Sequence, residues 1–383
     1  MEIGLVIDYF DPHRGGAEHW TYQFARCLRT AGHTVHVITQ SATTAGDTLG
    51  VHVHSLGRVV SRLRRAEAAE ILLRRLQLDI VHDIGMGWYC DVLQSEDGSR
   101  LAQWEQKLRI LPRYLRPIKR WLMRWLPRYR EFRELMRRQF GDPRRILVAV
   151  SRMCAGDYVR YHQVSPYRIR VVYHGTDIQR FSPDHRTQWR QPIRSQLGIQ
   201  PNDVVYLFVG HDYLRKGLAT AIRATGRLAR EGLPVRLLVV GGWGSRRYQR
   251  LARWVGAGQA VCFVGRVQDP VPYYAASDVF VLPTFYDPCS LSVTEAAASG
   301  LPPITTRWNG ASELLSDGVD GFVLSDPADD AALADRMARL LDPRLRERMS
   351  EAARLLALEY PLQRNYDEIL AIYREIRSQR KAA

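Results

Sequence analysis

Nine short apolar runs alternating with stretches of helical spacing most constrain what this chain can fold into. Four lie in the first half, at 3–7, 34–39, 80–82 and 146–150. Five lie in the second, at 204–209, 235–240, 260–264, 279–282 and 303–305. Runs of this length between helical stretches read as buried parallel strands joined by helical crossovers. The expectation is an α/β protein with parallel sheets. A chain of 383 residues, 46% of them apolar, can fill more than one core, and its length points to two domains. The polar segment 177–194 reads as the connection between them. A last helix is expected over 365–380, after Tyr360-Pro361.

Several classes are disfavoured. No run approaches the ~18 apolar residues of a membrane-spanning helix. The N-terminus passes from Met1-Glu2 straight into a strand, without the basic region or cleavage site of a signal peptide. The five cysteines are scattered and form no C-x-x-C pair, so a reducing cytoplasm is expected, with neither a disulfide framework nor a zinc site. The net charge of +15 implies an anionic partner: nucleic acid, an anionic membrane surface or a phosphorylated substrate.

Chemistry concentrates after the run at 279–282. The loop carries Asp287, and Glu295 follows eight positions later inside a helix expected over 293–299. Between them lie Cys289, Ser290 and Leu291. A strand–loop–helix unit aims loop amides and a helix N-terminus at an anion. The two acids add hydroxyl acceptors on either side, which suits a nucleotide-sugar: amides for the diphosphate, carboxylates for sugar and ribose. After the run at 204–209 comes Gly210, then Arg215-Lys216-Gly217. Two cations at a strand end suit a diphosphate on which negative charge builds as it departs. In the first half, Gly15-Gly16 joins strand to helix and allows close backbone approach. That loop is not G-x-G-x-x-G, and the second strand ends Ile38-Thr39-Gln40 without an acid, so a dehydrogenase is disfavoured. Val240-Gly241-Gly242-Trp243-Gly244-Ser245 and Val264-Gly265-Arg266-Val267 are two further strand ends.

The acid-x7-acid segment resembles the motif of retaining glycosyltransferases of family 4, with Asp287 where the first Glu is usual and Cys289-Ser290 in place of Phe-Gly. Asn309-Gly310-Ala311-Ser312-Glu313-Leu314, Asp317-Gly318-Val319-Asp320-Gly321-Phe322, Ser151-Arg152 and Tyr173-His174-Gly175-Thr176-Asp177 are similar to further landmarks of that family. The resemblance implies the GT-B fold: two Rossmann-like domains facing across a cleft, 1–176 for the acceptor and 177–361 for the nucleotide-sugar. The terminal segment 362–383 would cross back to the first domain. It also implies that Arg266 and Val267 meet the nucleobase, that Gly15, Gly16, Gly210, Ser290, Leu291 and Glu295 contact the donor, and that Arg215, Lys216 and Asp287 serve catalysis. Many relatives carry a His near position 97. Here Asp97 matches a lipopolysaccharide core glucosyltransferase subgroup, with Glu96 as the alternative and a plain surface turn as the third reading. No Asp-x-Asp pair stands where a metal–diphosphate clamp is expected, so no metal or other cofactor is expected beside the nucleotide-sugar.

Twelve cations lie between Lys107 and Arg138, opposed only by Glu131 and Glu134. Leu115, Ile118, Leu122, Trp125 and Leu126 draw an apolar stripe beside them, and Pro117 and Pro127 are expected to bound the regular part of the helix. Aromatic and basic residues at one surface fit an interfacial helix on an anionic bilayer. RNA binding and simple packing against the first domain are the competing uses. The resulting expectation is a hexosyltransferase at the cytoplasmic face of the inner membrane. It would use a UDP-linked donor and a lipopolysaccharide-core or other lipid-anchored acceptor, with no nucleic-acid partner. A UDP-sugar epimerase and a basic membrane- or RNA-binding protein with a decayed site are the alternatives.

Overall fold

The computed structural model describes residues 1–42, 49–242 and 245–382, so Trp243 and Gly244 of the third strand-end run lie outside the described residues. The chain divides into two compact units, Met1–Tyr173 with Asn365–Ala383, and His174–Arg364.

Unit 1 contains β1 (Glu2–Val6), β2 (Tyr9–Phe10), β3 (Thr34–Thr39), β4 (Ser41–Ala42), β5 (His52–Ser55), β6 (Ile80–Asp83), β7 (Val92–Gln94), β8 (Ile146–Ala149) and β9 (Ile169–Val171). Seven of these form a parallel sheet in the order β5-β3-β1-β6-β7-β8-β9, and β2 pairs with β4 alone. Its helices are α1 (Gly16–Thr30), α2 (Arg62–Leu76), α3 (Arg100–Arg109), α4 (Leu115–Trp125), α5 (Pro127–Gly141) and α6 (Arg152–His162). The family landmark Ser151 is the N-cap of α6, its side chain accepting from the Cys154 amide at 3.1 Å.

Unit 2 contains α7 (Arg186–Gln196), β10 (Val204–Val209), α8 (Leu218–Arg230), β11 (Val235–Val240), α9 (Arg246–Trp254), β12 (Val261–Gly265), α10 (Val271–Ala276), β13 (Val279–Leu282), α11 (Leu291–Ala298), β14 (Pro303–Thr306), β15 (Phe322–Leu324), α12 (Asp330–Arg339) and α13 (Pro343–Leu358). Its parallel sheet runs β12-β11-β10-β13-β14-β15. Strand order reverses between β10 and β13, as it does between β1 and β6 in unit 1. Every side chain of β13 and β14 is buried, which is why these strands read as continuous apolar runs.

The segment 177–194 is not the connection between units. It folds into unit 2, where α7 lies against α10. Arg190 and Arg194 reach Asp278 at 2.6 and 3.2 Å, and Arg194 is buried. Part of its polarity is a guanidinium–carboxylate cluster on Asp278, and the rest faces solvent. Pro117 does not bound a helix either. It sits in the first turn of α4, where a missing N–H costs nothing. Pro127 does separate α4 from α5, with Leu126 extended between them. Strands β2, β4, β5, β7, β9 and β15 had no counterpart among the nine runs.

The last helix, α14 (Leu362–Ala382), belongs to unit 1 from Asn365 onward. Trp20 Nε1 donates to Asn365 Oδ1 at 2.8 Å, and Asn365 Nδ2 donates to the Tyr173 carbonyl at 2.7 Å. Tyr366 packs on Phe24, and Tyr373 pairs with the buried His82 at 2.6 Å. Asn365→Ala removes both of these buried hydrogen bonds, so we expect it to lower unfolding free energy by roughly 1–3 kcal/mol in denaturant titrations. An unchanged midpoint would mean α14 is not held by this pair.

Candidate functional site

In open parallel sheets, ligands bind beyond the carboxyl ends of strands where strand order reverses. In unit 2 that place lies between the loops after β10 and β13, and the sequence puts its chemistry there. Asp212 starts the first loop by accepting from the Arg215 amide at 3.1 Å. Gly217 ends it in the left-handed region (φ +77°), and a Cβ there would lie 1.9 Å from the Pro283 carbonyl oxygen. Only glycine satisfies both demands. The loops are then stitched together: the Phe285 amide and the Thr284 hydroxyl donate to the Arg215 carbonyl at 2.8 and 3.0 Å.

This stitching gathers the charged side chains. Arg215 Nη1 donates to the Tyr286 carbonyl at 2.8 Å and lies 3.3 Å from Asp287 Oδ2. Lys216 Nζ lies 3.3 Å from the same oxygen and 3.5 Å from Ser290 Oγ. Gly210 leaves room for the lysine stem, since a Cβ there would be 2.3 Å from Lys216 Cδ. Burial alone would raise the Asp287 carboxyl, but Lys216 and Arg215 outweigh it and hold the acid below its ordinary range. Arg215 Nε also lies 3.4 Å from Asp212 Oδ2, so the two cations are shared between two acids.

The loop after β14 braces the acid. The Asp287 amide donates to the Trp308 carbonyl at 2.8 Å, and the Gly310 amide donates to the Asp287 carbonyl at 2.9 Å. Asn309 Oδ1 accepts from the Ser290 and Ala311 amides, both at 3.1 Å. The Asn309-Gly310 signature thus positions the start of α11. Ser290 is the N-cap of α11 without a side-chain cap bond, and its hydroxyl lies 2.9 Å from that of Ser292. Leu291 opens the helix. Glu295, one turn in, accepts from Tyr274 Oη at 2.8 Å. Burial raises its carboxyl; the Tyr274 bond and the charges of Arg180 and Lys216 offset this only in part.

Arg266 and Val267 follow β12, Arg266 exposed and Val267 half-buried. The His211 imidazole is held below its ordinary value by partial burial and then by the charges of Lys216, Arg266 and Arg215, which places Arg266 beside the same loop.

Unit 1 has its own group. Gly15 is the N-cap of α1, and the Glu18 carboxylate folds over it: a Cβ at Gly15 would be 2.7 Å from Glu18 Oε2, and α1 begins at Gly16. Burial raises the Glu18 carboxyl, and the charges of Asp97 and Asp8 add to the effect. Asp97 is exposed and pairs with Arg100. Glu96 instead accepts from Gln94 Nε2 at 2.6 Å. Among the described residues no three His, Cys, Asp or Glu side chains form a metal-ligating group. Asp212, Tyr274 and Glu18 were not singled out from the sequence. Each is an ordinary residue until the fold shows what it holds.

If Gly217 is pinned by both its φ and the Pro283 carbonyl, Gly217→Ala should destabilise more than Gly198→Ala, which is left-handed (φ +63°) but has open space around it. The latter should cost about 1 kcal/mol and the former upward of about 2 in denaturant midpoints. Equal losses would contradict the close approach of the two loops.

Two family models match, one on each half of the chain. "Glycosyltransferase Family 4" covers residues 14–180, and "Glycosyl transferases group 1" covers 190–356. The chain is 30% identical over 239 residues to the D-inositol 3-phosphate glycosyltransferase of Thermobifida fusca, covering 58% of this chain and 53% of that protein. It is 33% identical over 235 residues to the same-named protein of Saccharomonospora viridis, with coverages of 58% and 53%. The chain thus spans about half the length of the curated relatives it matches. The fold is shared with WaaG, a glycosyltransferase involved in lipopolysaccharide biosynthesis (TM-score 0.81, 23% identity, 97% and 99% of the two chains). It is also shared with Anabaena Alr3699/HepE, solved with UDP and glucose (TM-score 0.77, 18% identity, 98% and 100%). With the two models matched in tandem and the GT-B fold, the chain belongs to the family 4 glycosyltransferases.

Proposed function

We propose that this chain is a retaining hexosyltransferase. It takes its sugar from a nucleotide-sugar, with UDP the expected carrier, and delivers it to a lipopolysaccharide-core or other lipid-anchored acceptor. The observation that carries this reading is Lys216 Nζ, set between Asp287 Oδ2 and Ser290 Oγ beside the N-terminus of α11. A lysine beside a helix N-terminus is the kind of group that favours a diphosphate. Arg215, Lys216 and the α11 amides meet the charge that grows on the departing phosphate oxygen as the anomeric C–O bond breaks. The acceptor hydroxyl attacks the same face, and its proton passes to the leaving phosphate. No enzyme nucleophile is needed, and the two cations supply the positive charge without calling for a metal. Asp287 and Asp97 orient the sugar and favour oxocarbenium character, Glu295 accepts from the ribose, and Arg266 and Val267 line the base. Gly15, Gly16, Gly210, Ser290 and Leu291 give backbone and hydroxyl contacts. HepE, which was solved with UDP and glucose, supports the choice of donor class.

Unit 1 would take the acceptor and rest on an anionic leaflet through α4. That helix turns its apolar stripe outward: Leu115 is 37% exposed, Ile118 56%, Leu122 36% and Trp125 60%, with Leu126 half-buried, and Met123 is the buried residue of the helix. This exposure favours docking over packing as the use of the stripe. Arg133 braces the helix end through the Met123 carbonyl at 3.0 Å, and Arg113, Arg124 and Arg128 are exposed beside the stripe. None of the described helices is long and apolar enough to cross a membrane.

Two experiments test these readings. Lys216→Met should lower turnover with UDP-hexose by about 10²–10³-fold while weakening donor binding less. Full turnover with only weaker binding would make Lys216 a ground-state contact. In vesicle co-sedimentation the protein should bind anionic and not neutral lipid, and weaken with salt. Each engaged arginine contributes about 1 kcal/mol, so changing Arg113, Arg124 and Arg128 to Glu should abolish docking. Equal binding to both vesicle types would contradict the electrostatic account.

A further inference from the structure

A carboxylate that accepts ribose hydroxyl bonds must be ionised and held in one rotamer, and burial works against the first condition. The structure supplies a counterweight on α10. Tyr274 is buried, and its Oη donates to Glu295 Oε2 at 2.8 Å, with the Ser292 carbonyl a more distant acceptor at 3.4 Å. Its ring is fixed edge-on to Phe181 (5.4 Å, 83°) and stacked against Phe280 (6.2 Å, 22°). A phenylalanine would fill the same space, so packing alone does not account for the hydroxyl, which needs a partner once buried. The charged groups facing Glu295 are Arg180 and Lys216. Arg180 is engaged with Asp269 at 3.1 Å and Lys216 with Asp287. Among the described residues, Tyr274 is therefore the direct hydrogen-bond donor to Glu295.

We propose that Tyr274 is a positioning residue for nucleotide binding: its hydroxyl, 2.8 Å from Glu295 Oε2, holds the Glu295 carboxylate in one orientation toward the nucleotide. This rests on the reading of Glu295 as the ribose acceptor. A protonated Glu295 loses acceptor capacity, so nucleotide affinity falls as pH drops through its titration. The Tyr274 bond favours the ionised form, so without it that fall begins at higher pH.

The test is calorimetric titration of the full chain with UDP, GDP or ADP, whichever binds, from acidic to mildly alkaline pH. At the alkaline end Tyr274→Phe should bind about three- to tenfold more weakly than wild type. Its acid limb should move to higher pH, with the thermal midpoint little changed. Glu295→Gln should reduce the limb to the part set by the nucleotide's own terminal phosphate, and Tyr274→Phe added to it should change affinity no further. If Glu295→Gln weakens binding but Tyr274→Phe keeps the wild-type limb, or if the two losses add, the positioning role is overturned and the ribose reading stands. If Glu295→Gln binds as wild type does, both fall.

Discussion

The buried contact of Arg215 and Lys216 with Asp287 is the constraint on which the unit 2 site depends. Two cations on one loop and one acid on the next would not meet without a rigid reason. That reason is backbone: Gly217 against Pro283, and the Arg215 carbonyl taking two donors from residues 284 and 285. Removing one member of such a buried group leaves uncompensated charge, which costs far more than an exposed pair. The acid also keeps the two cations together before any anion arrives, and Asp212, 3.4 Å from Arg215 Nε, holds the guanidinium from its other side.

The same loops explain why family landmarks far apart in sequence act together. Asn309 caps the start of α11 through Ser290, and Gly310 holds the Asp287 backbone. Asp287 is one methylene shorter than the usual glutamate. It compensates by lying on the cations, with Oδ2 3.3 Å from both Arg215 and Lys216.

Much of the fold was legible because both sheets are parallel and buried, so strands such as 204–209 and 279–282 appear as unbroken apolar runs. β5 (His52–Ser55) escaped because an edge strand alternating His and Val has no such run. The segment 177–194 misled because buried arginines look like surface ones until Asp278 is seen between Arg190 and Arg194. At the site, Arg215, Lys216, Asp287 and Glu295 were legible as charges at strand ends. Tyr274 was not, because a tyrosine in Tyr273-Tyr274-Ala275 carries no sign of its buried partner. Pro117 was misjudged as a helix boundary because sequence does not reveal that α4 begins two residues earlier. The outward turn of the α4 stripe was equally hidden: periodicity shows that a stripe exists, and only packing shows which way it faces.

The central claim is that the Arg215–Lys216–Asp287 cluster binds the diphosphate of a nucleotide donor. Comparing the affinity of each nucleoside diphosphate, UDP, GDP and ADP, with that of its parent nucleoside tests it directly. The account predicts that for the base that binds, the diphosphate binds at least about 100-fold more tightly, equivalent to about 2.7 kcal/mol, and that the advantage shrinks in Lys216→Met. A nucleoside that binds as tightly as its diphosphate would contradict it.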